Sequence, residues 1–123
     1  MAKASDIVRV GEREGVKLVR LRSGAIRDER DVEALGQALL GLTEEPGQRV
    51  VLSFLGVDHL TSLVLGKLIL VHKRLSESGG EMRLADIDPQ IYEVFKITHL
   101  DRLFTIYDHE RDALVSFAQD AER

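Results

Sequence analysis

The chain has 123 residues, a formal net charge of −4 and no cysteine. This length suits one ordinary domain, and a hydrophobic content of 44% is sufficient for a buried core. The absence of cysteine excludes disulfides, thiolate metal sites and cysteine nucleophiles, and the negative charge gives no general attraction to nucleic acid or anionic lipid. We therefore expect one cytoplasmic domain over residues 1–123, with residues 1–4 frayed and no segment inserted in a membrane.

Two short segments near the amino terminus predict a β-hairpin. Residues 6–10 alternate weakly between apolar and polar side chains. Residues 16–21 alternate clearly, with Val16, Leu18 and Leu21 expected on one face. The link between the two segments is polar and has glycine at both ends, which suits a turn between antiparallel strands. We expect one covered and one solvated face.

The next predicted element is a helix over residues 31–42. Its apolar residues recur at spacings of three and four, which is the period of one helix face: Val32, Leu35, Leu39 and Leu42. Asp28 or a neighbour is expected to cap this helix. Gly36 marks either a weak point in it or a close contact with another element.

The centre of the chain predicts a buried strand followed by an apolar helix. Residues 49–55 are rich in β-branched and large apolar side chains, and residues 62–78 form the predicted helix. Gly79-Gly80 is expected to end it in left-handed geometry.

The start of this helix is the candidate functional site. Thr61 and Ser62 offer hydroxyls to the free backbone amides of the first turn, with Thr61 the favoured cap. Leu60 and Leu65 have the spacing of a hydrophobic staple. Because the amino terminus of a helix stabilises negative charge, it can accommodate a phosphate on the serine.

The last third of the chain predicts two further strand–helix pairs. A strand over residues 81–87 precedes a helix that starts at Asp88-Pro89, with an inward face made by Ile91, Val94 and Phe95. A strand over residues 103–107 precedes a helix capped by Asp108, whose apolar residues are Ala113, Leu114, Phe117 and Ala121. The element order predicts an α/β fold, with a mixed, mostly parallel sheet, an amino-terminal antiparallel hairpin and about four helices packed on it.

Three segments resemble the STAS domain family, the sulphate-transporter and anti-sigma-factor-antagonist family. Residues 57–66, VDHLTSLVLG, resemble the segment that in this family reads hydrophobic-Asp-Ser-Ser/Thr-Gly-Leu-Gly. Residues 79–82 look like the glycine pair before the family's next strand. Asp88-Pro89 is similar to the start of its last helix-and-strand region, together with Phe95, Leu100, Leu103, Phe104, Ile106 and Tyr107. The resemblance covers essentially the whole chain and implies a single STAS-like domain.

The resemblance implies an anti-sigma-factor antagonist, a bacterial signal-transduction protein that regulates transcription by partner switching. Such an antagonist binds an anti-sigma factor, often a serine kinase, and so frees a sigma factor. Phosphorylation of the motif serine breaks the complex, and a phosphatase restores it. The matching serine is Ser62, with Thr61 as the alternative phosphoacceptor. The residues expected to bind the partner are Asp58, His59, Thr61, Ser62, Leu63 and Lys67.

The chain departs from the family motif at three positions around this serine. Thr61 replaces the motif aspartate, Leu63 replaces a serine or threonine, and Val64 replaces the motif glycine. A fourth departure is Arg27, which stands where a second segment of the family has aspartate. These departures keep open a second function, that of a STAS scaffold without a phosphorylation switch or of an accessory subunit of a transporter ATPase.

The sequence predicts no catalytic, cofactor or metal site, so we do not expect an enzyme. The histidines lie far apart and lack the paired ligand spacing of zinc sites: His59, His72, His99 and His109. Asp58 and Asp86 are interpreted as solvated turn residues rather than an acid–base pair. Neither a nucleophile elbow nor a dinucleotide or Walker loop is present. A third function, a small ligand-binding or catalytic protein on the same fold, is supported only by the affinity of helix amino termini for anions.

Overall fold

The structure is a computed structural model and describes residues 7–22, 26 and 28–121. The described strands form one five-stranded sheet whose spatial order follows the chain: β1 (Val8–Arg13), β2 (Val16–Leu21), β3 (Arg49–Ser53), β4 (Glu81–Ala85) and β5 (Thr105–Tyr107). The described helices are α1 (Glu29–Gly41), α2 (Ser62–Glu77), α3 (Pro89–Ile97) and α4 (Glu110–Ala121), with a 3-10 turn at Leu100–Arg102. Expectations for residues 1–4, Asp6, Gly24, Ala25 and Arg27, and for the side chain of Ala121, lie outside the described residues.

The sheet is mixed, as predicted. β1 pairs antiparallel with β2, and each later strand pairs parallel with its predecessor. Successive parallel strands are joined by α1, α2 and α3, and the sheet grows in one direction throughout. Because right-handed crossovers that advance in one direction place their helices on the same side, these three helices share one face of the sheet. The predicted α/β fold with four helices on a mostly parallel sheet is therefore confirmed.

The two faces of the sheet carry separate apolar clusters. On the face of α1 to α3, Val19, Leu52 and Leu84 are buried in the main core. On the opposite face, here called the α4 face, Leu18 and Val51 pack with residues of α4. The prediction of a solvated face on the second strand is therefore wrong. Its apolar residues are divided between the faces: Val16 and Leu18 pack toward α4, while Val19 and Leu21 pack in the main core.

The α1–α2 contact confirms one of the two expectations for Gly36. Asp28 caps α1, accepting hydrogen bonds from the backbone amides of Arg30 and Asp31. A Cβ atom at Gly36 would lie 2.9 Å from Cδ of Lys67 on α2, so the glycine provides room for the lysine stem. The Lys67 ammonium then reaches Glu33 Oε2 at 3.1 Å. Gly36 is thus a close-contact position.

The turn from α2 to β4 explains the glycine pair that ends the helix. Gly79 has a φ of +82°, the left-handed geometry expected there. Gly80 serves a different purpose, because a Cβ atom at this position would lie 2.3 Å from the carbonyl oxygen of Gln48. The amide of Glu81 donates to that same oxygen at 2.9 Å. The glycine lets β4 begin against the residue that precedes β3.

Several predicted bounds are wrong at element ends. β3 ends at Ser53, and Leu55 lies in a turn with 60% of its surface exposed. The first strand runs over Val8–Arg13 rather than residues 6–10, β4 ends at Ala85, and β5 begins only at Thr105. Val94 is also exposed, so the inward face of α3 is made by Ile91 and Phe95 alone.

An aspartate from the sheet holds the start of α4. The prediction that Asp108 caps this helix is wrong, because α4 begins at Glu110 and its first amide donates to Asp86 Oδ2 at 2.9 Å. Asp86 itself has a φ of +57°, which turns the chain out of β4. Its side chain is largely buried, so it is not the solvated turn residue that we expected.

An ion pair on the α4 face ties α4 to β2. Arg20 donates to both carboxylate oxygens of Glu110, at 2.8 and 3.0 Å. These hydrogen bonds lower the pKa of Glu110 below its ordinary value, against the opposing effect of burial, and a hydrogen bond from Ser53 lowers it further. The ionised carboxylate therefore stabilises the folded chain above the pKa of an unfolded glutamate, and this contribution is lost as the pH falls through the lower folded-state pKa.

We expect Glu110→Gln to lower the free energy of unfolding at neutral pH and to flatten its decline below about pH 4.5. The glutamine carries no proton-linked charge, so it removes the contribution that acid titrates away. Urea unfolding at a series of pH values measures both effects. Glu93→Gln is the matched control, because Glu93 pairs with Lys96 on an exposed helix surface. Equal acid sensitivity of the wild type and Glu110→Gln would contradict the prediction.

Candidate functional site

The candidate site is the connection between β3 and α2, at the carboxyl edge of the parallel strands. Phe54 anchors its start: the side chain is buried, and the backbone amide donates to the Ala85 carbonyl at 3.0 Å. Gly56, with a φ of +83°, turns the chain outward, and the Val57 amide closes the turn on the Phe54 carbonyl at 2.9 Å. The segment that follows is therefore held by the sheet at the point where it leaves the core.

Thr61 is the amino-terminal cap of α2. It has extended geometry, and its hydroxyl oxygen accepts a hydrogen bond from the Val64 amide at 3.4 Å. Ser62 is the first residue of the helix and is exposed to solvent. Since Thr61 provides the cap, the serine hydroxyl remains at the positive end of the helix dipole as an accessible group.

The family motif positions that differ in this chain divide between core and surface. Val64, which stands where the motif has glycine, is fully buried in the main core. Leu63, beside Ser62, is 51% exposed. Leu60 and Leu65, the predicted staple pair, are half-buried and both pack against the main core. The valine is therefore accommodated by packing, while the leucine adds apolar surface next to the serine.

The structure places five of the six predicted partner-binding residues on one exposed segment, here called the entrance surface: Asp58, His59, Thr61, Ser62 and Leu63. Lys67, the sixth, lies one turn into α2, where its stem covers Gly36 and its ammonium pairs with Glu33. Its charge is directed toward α1 rather than toward the other five.

A pocket of about 180 Å³ adjoins the entrance surface. One wall comes from the β3–α2 connection and the start of α2, and the other comes from α3: Asp58, His59, Leu60, Leu65, Gln90, Ile91, Val94 and Phe95. Val94 is 43% exposed and brings a second apolar side chain to the edge of this region. The composition of α3 is a signal for such a surface, because the helix has more apolar residues than its narrow inward face can bury.

The described residues contain no arrangement suited to metal binding. No group of three or more histidine or acidic side chains converges in the described part of the chain. His72 of α2 packs edge-to-face on Phe104, with ring centroids 5.1 Å apart. Within the same residues, no helix has both the length and the apolar character needed to cross a bilayer.

Comparison with known proteins gives a family match over most of the chain. The family model described as STAS domain matches residues 8–113. The anti-sigma F factor antagonist of Paenibacillus polymyxa is 28% identical over 100 residues, which cover 81% of this chain and 85% of that protein. An anti-sigma-factor antagonist (STAS) domain protein from Planctomyces limnophilus has a similar structure, with a TM-score of 0.82 and 24% identity over 90% of this chain and 97% of that one. The Bacillus cell fate determinant SpoIIAA in its phosphorylated form superposes with a TM-score of 0.69 and 16% identity, covering 89% and 98% of the two chains.

Proposed function

Because the chain belongs to the STAS domain family, we propose that it is an anti-sigma-factor antagonist that acts by binding a protein partner in the cytoplasm. The observation that carries this proposal is the position of Ser62, exposed at the first residue of α2 beside a cap supplied by Thr61. The 28% sequence identity to an anti-sigma F factor antagonist supports an anti-sigma factor as the partner. The activity is binding rather than catalysis.

In this proposal the entrance surface is the contact for the anti-sigma factor. Its apolar part is Leu63, with Val94 across the adjoining pocket, and its polar part includes Asp58, His59 and the hydroxyls. An apolar side chain of the partner that enters the pocket would displace water from these walls, and this burial favours association. The partner must also match an uncharged serine at the helix start.

Phosphorylation of Ser62 by a serine kinase is the proposed switch, and a phosphatase would reverse it. A phosphate adds about 1.5 to 2 negative charges and three strong acceptor oxygens. The positive end of the α2 dipole stabilises this charge, so the fold tolerates it. The partner surface that fitted a neutral hydroxyl then meets a charged, hydrated group, and the complex dissociates.

We expect Ser62→Asp to weaken binding to the cognate anti-sigma factor by at least about tenfold, and Ser62→Ala to bind like the unphosphorylated wild type. Isothermal titration calorimetry measures both affinities. Ser76→Asp is the matched control, because Ser76 is an exposed serine of the same helix, far from its start. Loss of binding in this control as well would show that any added charge on α2 disrupts the complex.

Intact-mass measurement after incubation with the cognate kinase and ATP tests the modification itself. We expect a shift of one phosphate in the wild type and none in Ser62→Ala. A shift that persists in Ser62→Ala and disappears in Thr61→Ala would move the phosphoacceptor to Thr61. The absence of any shift in the wild type would contradict the switch.

A second candidate function is a STAS scaffold without a switch, or an accessory subunit of a transporter ATPase. The exposure of Leu63 favours it, since an apolar side chain beside Ser62 enlarges a contact surface without contributing to modification. In that case the chain binds its partner equally well with serine or aspartate at position 62.

A further inference from the structure

The α4 face carries a groove of about 620 Å³ that takes no part in the entrance surface. It lies between the turn that joins β1 to β2 and the side of α4 that carries Arg111, Leu114 and Ala118. Its apolar lining includes Val16, Leu114 and Phe117, and Val115 at its side is 45% exposed. The entrance surface lies at the start of α2, which packs on the opposite face of the sheet.

The connectivity of the fold accounts for this open space. The crossover helices α1, α2 and α3 all lie on one face, so α4 is the sole described helix on the other. α4 packs mainly on β3, β4 and β5, and it also contacts β2 at Val16, Leu18 and Arg20. The hairpin end of the sheet therefore extends beyond the helix, and the step between them forms the groove.

Positive charge is concentrated around this apolar lining. Arg13, Arg49 and Arg111 line the groove. Within the residues that the structure describes, no carboxylate forms an ion pair with any of these three arginines, in contrast to Arg20, Lys67, Arg83 and Lys96. The Arg49 guanidinium carbon lies 5.9 Å from the centre of the Phe117 ring, which places its charge beside the apolar surface.

Two acidic residues at the hairpin turn offset part of this charge. Glu12 and Glu14 also line the groove. Glu12 also pairs with Lys17 at 3.5 Å. The three arginines outnumber the two glutamates, so a chain with a net charge of −4 presents a groove with a small excess of positive charge over an apolar floor.

We propose that this groove binds an acidic peptide segment of a protein partner that also carries large apolar side chains. Arginine guanidinium groups form paired hydrogen bonds with carboxylates, and the floor accepts the apolar side chains between them. The volume is within the range that encloses several side chains. A nucleic acid fits less well, because its phosphate backbone would leave the apolar floor uncovered. The proposal is independent of the function proposed for Ser62.

Fluorescence anisotropy with a short labelled peptide, in which glutamate alternates with leucine and phenylalanine, tests the groove directly. We expect saturable binding that is weakened about tenfold or more in the double variant Arg49→Gln/Arg111→Gln. The matched control is Arg30→Gln/Arg102→Gln, which removes two exposed arginines outside the groove and should bind like the wild type. Thermal unfolding by circular dichroism verifies that both double variants are folded.

Two altered peptides separate the charge from the apolar contribution. A peptide with lysine in place of glutamate, and one with serine in place of leucine and phenylalanine, should each bind about tenfold more weakly or not at all. The proposal would be overturned if the peptide with glutamate, leucine and phenylalanine did not bind at millimolar concentration. It would also be overturned if the lysine peptide bound the wild type equally well, or if the Arg49→Gln/Arg111→Gln variant bound the glutamate peptide as tightly as the wild type does.

Further measurements identify a different occupant and separate this site from the first. If sedimentation shows a dimer that Arg49→Gln/Arg111→Gln dissociates, the groove holds a second copy of the chain and the peptide proposal is wrong. Ser62→Asp should leave peptide binding unchanged, and the groove variant should still bind the anti-sigma factor. The two proposals are therefore tested separately, and failure of one does not decide the other.

Discussion

Leu68→Ala is expected to lower the free energy of unfolding by about 2–5 kcal/mol, and Leu75→Ala by a similar amount. Both side chains are fully buried in the main core, on the stripe of α2 that faces the sheet. Truncation removes apolar contacts and leaves a cavity that the surrounding strands and α1 fill only in part. Urea unfolding followed by circular dichroism measures the change.

Ile69→Ala provides the comparison on the same helix. Ile69 is 40% exposed, so its truncation should cost less than about 1 kcal/mol. A loss below about half a kilocalorie per mole at both Leu68 and Leu75 would show that the packing of α2 has been assigned to the wrong face.

Gly80→Ala should destabilise the chain by about 1–3 kcal/mol, the cost of forcing an extra carbon into a filled space. The added Cβ would lie 2.3 Å from the Gln48 carbonyl oxygen, a backbone atom that cannot rotate away. Relief of the clash requires β4 to move from the chain before β3 and strains the Glu81–Gln48 hydrogen bond. Thermal and urea unfolding of the variant give the measured value.

The same substitution at Gly66 should act in the opposite direction. Gly66 lies on the exposed side of α2, and a Cβ atom there would meet no atom within 4 Å. Alanine in a helix interior is favoured over glycine by about 0.5–1 kcal/mol. A gain at position 66 together with a loss at position 80 separates backbone propensity from steric exclusion. Equal effects at the two positions would contradict the geometric argument.

The parts of the fold that follow from local chemistry were predictable from the sequence. The apolar stripe of α1 was predicted correctly, because a period of three to four residues indicates directly which side of a helix is buried. Asp28 and Thr61 were predicted as caps because a short polar side chain just before a helix can accept hydrogen bonds from the free amides of its first turn. The same reasoning located Ser62 at the helix start.

Features that depend on distant parts of the chain were missed. Asp86 holds the amide of Glu110 across 24 residues, and no local pattern links the two. The division of β2 between two clusters was also missed, because the alternation of residues 16–21 indicated one buried face, whereas α4, far along the chain, covers apolar residues on the other.

The candidate site was predicted only in part, because one of its side chains comes from a helix that is distant in the sequence. The consecutive residues of the entrance surface are set by the loop and cap, whereas Val94 joins them only because α3 packs beside that loop. Val94 lies three residues after Ile91, a spacing that also fits an inward position, but the packing of α3 leaves Val94 exposed.

Among the described residues α4 is the sole helix on the α4 face, and this arrangement affects which part of the fold unfolds locally. α4 buries only two residues fully in that cluster, Ala113 and Phe117. Arg83 of β4 also attaches the helix to the sheet: its guanidinium carbon lies 3.9 Å from the centre of the Phe117 ring, and its nitrogens donate to Ser116 and Asp120. Segments with few buried apolar contacts open at lower free energy than the core around them. Detachment of α4 while the rest stays folded would uncover Val51 and Ala85 on the face of the sheet, and exposed apolar patches of this kind favour association between chains. The contacts of Arg83 with Phe117, Ser116 and Asp120 oppose this detachment, and in that way they limit self-association of the protein.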